Sequence, residues 1–367
     1  MSIRSEKITS YLGHFLNVLT KPQRKYFLIY LIGLIYLEKF RSIREIAGHF
    51  GRHNTDGLHH FLKYTPQKAL QLEEQNRCQI APRISQEEAL MILDDTTCPR
   101  NGQHIEGIGF HYSIYGLVRG LSAVTAIIKS GSQCYAWAIR GYRPKQSSLA
   151  GTFKSKVHLA QEILLESFHL FPRGLTVFMD VWYACAPVLN PIQEAGWHFL
   201  AAIKSNRILF LNGKKVSASY LAKEPRRYKS VRVGKKRRFQ VAKIKADLPL
   251  VGPALVFITK SPADGVRFFL TNNFDMTESE MVKLYAQRFA IEIFHKDIKQ
   301  HLGFTEMFMR SWNGIQTHWR LLGIAYNTIA AWNGSTPRSL RKKIRHFRNS
   351  LSCRQIMNLL KLKRAFQ

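Results

Sequence analysis

The period of the apolar positions changes along the chain. Residues 1–85 carry them at helical spacing. The run "YFLIYLIGLIYL", Tyr26 to Leu37, is only 12 residues long. It is too short to span a bilayer and predicts a buried helix. "SIREIAGHFGRHNTDGLHHFLKY" holds two short amphipathic segments with a break near Gly51 and Asn54. Ala47 and Gly51 sit four apart, as in a helix-turn-helix, where a small residue permits close crossing and a glycine makes the turn. Two packed helices with no further role fit the same pattern.

From "ALMILDDTTC" onward the period shortens. The segments "GIGFHYSIYGLV", "LSAVTAIIKS" and "QCYAWAIRGY" read as strands between Gly, Asn and Ser turns. "KSKVHLAQEILLESFHLF" is helical, "LTVFMD" is a buried strand ending in Asp180, "ACAPVLNPIQEAG" is a helical connector with prolines, and "HFLAAIK" is a strand. The order strands, helix, strand, helix, strand predicts a mixed α/β sheet of the RNase H type. Residues 205–275 are β-like and very basic, and read as an insertion after the fifth strand. "TESEMVKLYAQRFAIEIFHKDIKQHLGF" predicts one long helix, with a capping box between Thr277 and Glu280. The expected organisation is a helical DNA-binding domain (1–85), the first part of an α/β core (86–204), a β-rich basic insertion (205–275), a core helix region (276–330) and a basic helical C-terminus (331–367).

Charge narrows the function. The 55 Lys and Arg against 24 Asp and Glu leave a formal net charge of +31. A basic excess of this size, with 12 % aromatic residues, predicts a nucleic-acid partner. The basic runs "GKKRRFQ", with Lys235, Lys236, Arg237 and Arg238, and "RKKIRHFR" are candidates to line a DNA path. There is no basic amphipathic membrane anchor and no signal-peptide pattern in "MSIRSEKITS". Five scattered cysteines without a C-x-x-C pair read as reduced and buried in a cytoplasmic protein. His49, His53, His59 and His60 lack acid or cysteine partners at zinc spacing.

The few acids then matter. Phosphodiester chemistry by two divalent ions about 3.5–4 Å apart needs several carboxylates converging on one point. Two acidic sites end apolar strands: Asp94 and Asp95 after "LMIL", and Asp180 after "LTVFM". A third acid is Glu292 in "YAQRFAIEIFHKDIKQ". On an unbroken helix Tyr285, Arg288, Glu292 and Lys299 fall within roughly 60° of one another. That face joins a hydroxyl and two cations suited to phosphates with one acid suited to metal. A solvated face with an Arg288–Glu292 pair fits the spacing equally.

Tyr-(2)-Arg-(3)-Glu-(6)-Lys, "LDDTT" after an apolar strand, and "FMD" followed by "GWHFLAAIKSNR" together resemble the DDE transposases of bacterial insertion sequences, the Tn-five and Tn-ten type enzymes. The resemblance covers residues 88–330. It implies an RNase H-like core with a β-rich insertion before the glutamate helix, and the 112 positions from Asp180 to Glu292 leave room for one. It also implies that Asp94, Asp180 and Glu292 bind two Mg²⁺ ions, with Mn²⁺ able to substitute. Tyr285, Arg288 and Lys299 would contact phosphates. Asp95 is the alternative to Asp94, which is preferred because it directly follows the apolar run. Trp182 and Trp312 are candidates to stack an unpaired base. The implied partners are double-stranded DNA, as terminal inverted repeats and target, and a second copy in the paired-end complex. The implied setting is the prokaryotic nucleoid.

Other classes compete. Glu-x-x-His occurs at Glu166/His169 and Glu292/His295, as in di-iron bundles, but the strand-rich middle opposes a bundle. A transposase-derived protein that binds DNA without cutting, or an RNase H-like nuclease that cuts without joining, remains open.

Overall fold

The computed structural model describes residues 3–50, 55–113, 116–225, 227–233, 237–306, 308–333 and 339–350, with Ser352 and Gln355. The chain divides into two compact units. One comprises residues 1–85, 95–155 and 292–367, and the other 86–94 and 156–291. The division falls inside two elements, strand β1 (Ala89–Pro99) and helix α10 (Phe289–His301).

The first unit opens with five helices: α1 (Ile3–Leu16), α2 (Lys21–Tyr36), α3 (Ile43–His49), α4 (Thr55–Tyr64) and α5 (Pro66–Ile80). The apolar run of α2 is buried from Phe27 to Ile35. Among the described residues no helix is long and apolar enough to cross a membrane. Ala47 is buried in α3, while Gly51 and Asn54 lie outside the described residues. The strands are β2 (Gly109–Ser113), β3 (Gly116–Ser130) and β4 (Gln133–Tyr142), paired antiparallel as β2–β3 and β3–β4. "GIGFHYSIYGLV" is therefore not one strand. It divides at Ser113–Gly116, and its second part runs on through "LSAVTAIIKS" as a single 15-residue strand.

Helix α11 (Trp312–Asn333) is the centre of this unit, packed by β4 and by α1, α2, α4, α5 and α12 (Leu340–Ser350). Its apolar residues cover every side, from Ile315 through Trp319, Leu322 and Ala325 to Ile329, which suits a helix surrounded by protein. Asn327 bonds both the N–H and the C=O of Ala136 on β4, at 2.8 and 2.7 Å. A buried carboxylate, Glu73, sits among Arg77, Arg140 and Arg320. Cys78 is exposed rather than buried, Cys98 is buried, Cys134 and Cys185 are half-buried, and Cys353 is not described. On α12 the basic run "RKKIRHFR" exposes Arg341, Lys342 and Arg345, while Leu340, Ile344 and Phe347, spaced to face one side, are buried. Arg348 donates to the carbonyls of Ile35 and Leu37 at the end of α2.

The second unit is a mixed sheet. Beginning with the first half of β1, its order is β1, β5 (Thr176–Met179), β6 (His198–Ile203), β12 (Gly265–Thr271), β11 (Gly252–Ser261), β10 (Arg237–Leu248), β7 (Ile208–Leu211) and β8 (Lys214–Ser217). Strand β9 (Lys229–Val233) also pairs with β10. The β1–β5 and β5–β6 pairs are parallel and the rest antiparallel. Helices α6 (Lys156–Phe168) and α7 (Ala186–Glu194) make the crossovers, as parallel neighbours require. Asn212 and Gly213, both at positive φ, close the tight β7–β8 hairpin. The basic β-rich stretch continues this sheet through the β6–β12 pairing rather than forming a separate layer. A short helix α8 (Ala218–Lys223) lies within it.

The expected long helix is two. Helix α9 (Glu278–Gln287) ends at Arg288, and α10 begins at Phe289. The i→i+3 bonds Arg288 N–H to Tyr285 O and Ile291 N–H to Arg288 O, both 3.1 Å, tighten the chain there. Arg288 itself keeps helical backbone angles, φ −50 and ψ −35, so the change is a local tightening and not a loop.

Candidate active site

In the second unit two acids follow the last parallel β1–β5 pair, Leu93 with Met179. Asp180 lies just past β5, but Asp94 and Asp95 lie inside β1 (Ala89–Pro99) rather than ending it as the sequence suggested, because the strand runs on through Thr96 to Pro99. The β1–β5 register pairs Leu93 with Met179, so the next positions, Asp94 and Asp180, are lateral neighbours. The β5–β6 register pairs Met179 with Ala201, and β12 pairs Phe269 with Ala202. Asp94, Asp180, Ala202 and Phe269 therefore form one row on one face, because side chains alternate with period two. Asp95 points to the opposite face by the same alternation. Both Asp94 and Asp180 are half-buried. The Val181 N–H donates to Asp180 Oδ1 at 2.7 Å, which fixes the carboxylate just past the strand.

The C-terminal end of α9 covers this face. The Tyr285 ring lies against Phe269 and Phe178, with centroids 4.8 and 6.4 Å apart. Its hydroxyl accepts from Arg267 Nη1 at 2.6 Å. Asp180, Arg267, Tyr285 and Arg288 line a cleft of about 230 Å³. A neighbouring cleft of about 510 Å³ is lined by Trp182, Cys185, Lys204, Arg207 and Leu250. Trp182 is 64 % exposed and carries Lys204 Nζ over its ring at 4.6 Å. Cations, aromatic faces and a carboxylate at the C-terminal ends of parallel strands form a surface suited to a phosphate-bearing, base-bearing polymer.

Glu292 and Lys299 belong to the first unit, on α10. Glu292 is half-buried. His295, one turn on, meets Thr125 Oγ1 of β3 through Nε2 at 2.8 Å. Burial, with the Lys299 charge, pushes the His295 imidazole down to about 3. Burial also lowers Lys299, while the Cys98 thiol opposes that shift. The Trp312 ring packs so closely on Gly107 and Gly141 that neither position has room for a side chain, and the Trp312 backbone N–H donates to Glu106 Oε2 at 2.9 Å. Arg238 is exposed at the start of β10, beside Arg237, whereas Lys235 and Lys236 lie outside the described residues.

Residues 154–328 match the family described as transposase DDE domain. The chain resembles DDE transposases. The match to that DDE domain includes Asp180, Tyr285, Arg288, Glu292 and Lys299 and begins after Asp94. The chain is 21 % identical over 303 residues to a probable transposase for insertion sequence element IS701 from Microchaete diplosiphon, covering 78 % of this chain and 77 % of that one. In fold it is similar to the piggyBac transposase, solved as a synaptic complex with hairpin DNA. The TM-score is 0.53 at 12 % identity, over 95 % of this chain and 75 % of that one.

A DDE transposase site must accommodate hard divalent cations. Asp94 and Asp180 offer two neighbouring carboxylates, and magnesium is commonly held by one or two carboxylates completed by water and substrate phosphates. Among the described residues no group of three or more His, Cys, Asp or Glu side chains forms a ready-made cage. The donor set fits ions that enter with their substrate. Arg267 carries no signal in the sequence. It is an ordinary exposed strand arginine there, and only the pairing of β12 with β6 brings it to this cleft.

Proposed function

We propose that this chain is a DNA transposase of an insertion sequence, which cuts at element ends and joins the freed 3′-hydroxyls to target DNA. The observation that carries this reading is the row of Asp94 and Asp180 just past the last parallel β1–β5 pair, beside a cleft lined by Asp180, Tyr285 and Arg288. It occurs in a chain whose residues 154–328 match a transposase DDE domain. The similarity in fold to the piggyBac transposase supports the RNase H-like reading of the mixed sheet.

In this reading Asp94, Asp180 and Glu292 would hold two Mg²⁺ ions, or Mn²⁺ in their place. The chemistry such ions would supply is activation of the attacking oxygen and stabilisation of charge on the leaving one. The protein's own groups position the DNA. Tyr285, Arg288 and Lys299, the Tyr-Arg-Glu-Lys signature without its acid, contact phosphates near the cut. Arg288 presents a planar fork for two phosphate oxygens, and Lys299 a point charge. Lys299 is partly desolvated, so an arriving phosphate restores the charge partner that water supplied. Trp182, exposed beside Lys204, offers a platform for an unpaired base, a role the packing around Trp312 favours less. The helical N-terminal region and the basic segments hold duplex DNA outside the cut. Chemistry on paired ends requires two protomers, so a homodimer forms with DNA.

The test is Asp180→Asn and Glu292→Gln, each nearly isosteric, assayed for end binding by electrophoretic shift and for Mg²⁺-dependent cleavage. Binding should persist and cleavage disappear. Cutting at the wild-type rate in either variant overturns the assignment. A wild-type chain that binds ends without cutting would be a DNA-binding protein, and one that cuts without joining a nuclease.

A further inference from the structure

We infer that Arg267 is a further phosphate-binding residue of the Asp180 cleft, oriented by Tyr285 and restrained by Asp264. This rests on the reading that the cleft takes DNA. Arg267 is the third residue of β12, and the Phe268–Ile203 pair sets it opposite Lys204, just past the end of β6. By alternation it shares the face of Phe269, the face that carries Asp180.

The turn before it is built to hold Asp264. Ser261 and Gly265 close the β11–β12 hairpin, Gly265 at φ +66. The Asp264 N–H donates to Ser261 Oγ at 3.0 Å. The Asp264 carboxylate then accepts from Arg267 Nη2 at 3.0 Å, three residues along. The other end of the guanidinium, Nη1, donates to the Tyr285 hydroxyl, with the guanidinium carbon 5.8 Å from that ring's centroid.

These bonds do little for folding. The pair is open to water, with side chains 43 % and 26 % exposed for Arg267 and Asp264, and exposed ion pairs contribute little stability. They do set up recognition. A guanidinium has five N–H donors, so two bonds leave donors over for a phosphodiester. By accepting from Arg267 Nη1, Tyr285 Oη fixes the direction of the guanidinium. Arg267 thus presents its remaining donors to the cleft, and Asp264 competes with phosphate for the same guanidinium.

Competition makes the inference testable, because the two partners should act in opposite directions. The full-length chain and its Arg267→Gln, Arg267→Lys and Asp264→Asn variants would be titrated onto a short labelled duplex of arbitrary sequence. Fluorescence anisotropy would be read across a salt series without divalent metal, with thermal melts alongside. Arg267→Gln should bind more weakly and lower the log–log salt slope by about 0.9, the value for one phosphate. Arg267→Lys should keep the slope and lose part of the affinity. Asp264→Asn should bind roughly threefold to fivefold tighter. A wild-type slope in a folded Arg267→Gln, or weakening in both Arg267→Gln and Asp264→Asn, overturns the inference. If Arg267→Gln does not fold, Asp264→Asn decides alone: tighter binding supports it and unchanged or weaker binding sinks it. A wild-type chain that ignores the duplex removes the DNA reading and this inference with it. A salt-dependent wild type with a silent Arg267→Gln removes only the inference.

Discussion

Two adjacent aspartates differ here by a half-turn of the strand. Asp94 shares a face with Asp180 and Asp95 does not, although both fit Asp-x-Thr in the sequence. Asp94→Asn should therefore abolish cleavage and Asp95→Asn retain it, as read on one sequencing gel. The opposite result would assign the first acid to Asp95. On α10 a second acid is set by burial rather than chemistry. Burial raises the Asp297 carboxyl to about 6 from 3.8, against the pull of Lys296 and Lys343. The folded state thus holds a proton that the unfolded chain releases between those values. The contribution is present below about pH 4 and lost as pH rises through 6. Asp297→Asn should be more stable than the wild type at pH 7, by on the order of 1 kcal/mol after solvent screening. Urea unfolding at pH 7 and near pH 4 checks it, since the gap must close on acidification. His295 runs the other way. Its depressed imidazole favours the fold above 6.5 and loses that contribution as pH falls toward 3.

Local sequence rules worked best for elements whose ends are capped. Thr277 and Glu280 form the expected box: Thr277 Oγ1 accepts from the Glu280 N–H at 3.2 Å, and Glu280 Oε2 accepts from the Thr277 N–H at 2.8 Å. The Thr277 N–H and hydroxyl, both donating to Glu280 Oε2 at 2.8 Å, hold that carboxyl below the usual carboxylate range. Thr277→Ala should cost about 1 kcal/mol in chemical unfolding. A loss near zero would show that packing of α9 against β9 and β10, not the cap, sets its start. The end of the same helix escaped the sequence. Nothing in "YAQRFAIE" marks a breaker, yet the i→i+3 bonds at Arg288 divide the helix in two. The long β3 escaped for a related reason. Its alternation is interrupted by buried residues on both faces from Leu121 to Ile128, so periodicity alone could not join its halves.

At the scale of the molecule the net charge of +31 governs association with polyanions. Duplex affinity should fall steeply with salt. Replacing Lys235, Lys236, Arg237 and Arg238 by Gln should weaken binding to every sequence and flatten the salt slope by about 0.9 for each phosphate no longer neutralised. An unchanged slope would make that run a solvated face. What the sequence determined by itself is what is carried by neighbours along the chain. The helices α1 to α5, Asp180 at the end of an apolar strand, the capped start of α9 and the pull of the chain's charge toward polyanions all follow from period, local hydrogen bonding and summed charge. What only the tertiary structure decided depends on groups distant in sequence. The choice of Asp94 over Asp95 needs the register of β1 against β5, some 85 residues later. The place of Arg267 needs β12 to pair with β6. The seat of Trp312 needs two glycines, Gly107 and Gly141, from another part of the chain. Strand register and close packing are set by which surfaces exclude water together, and no local window of residues contains both surfaces.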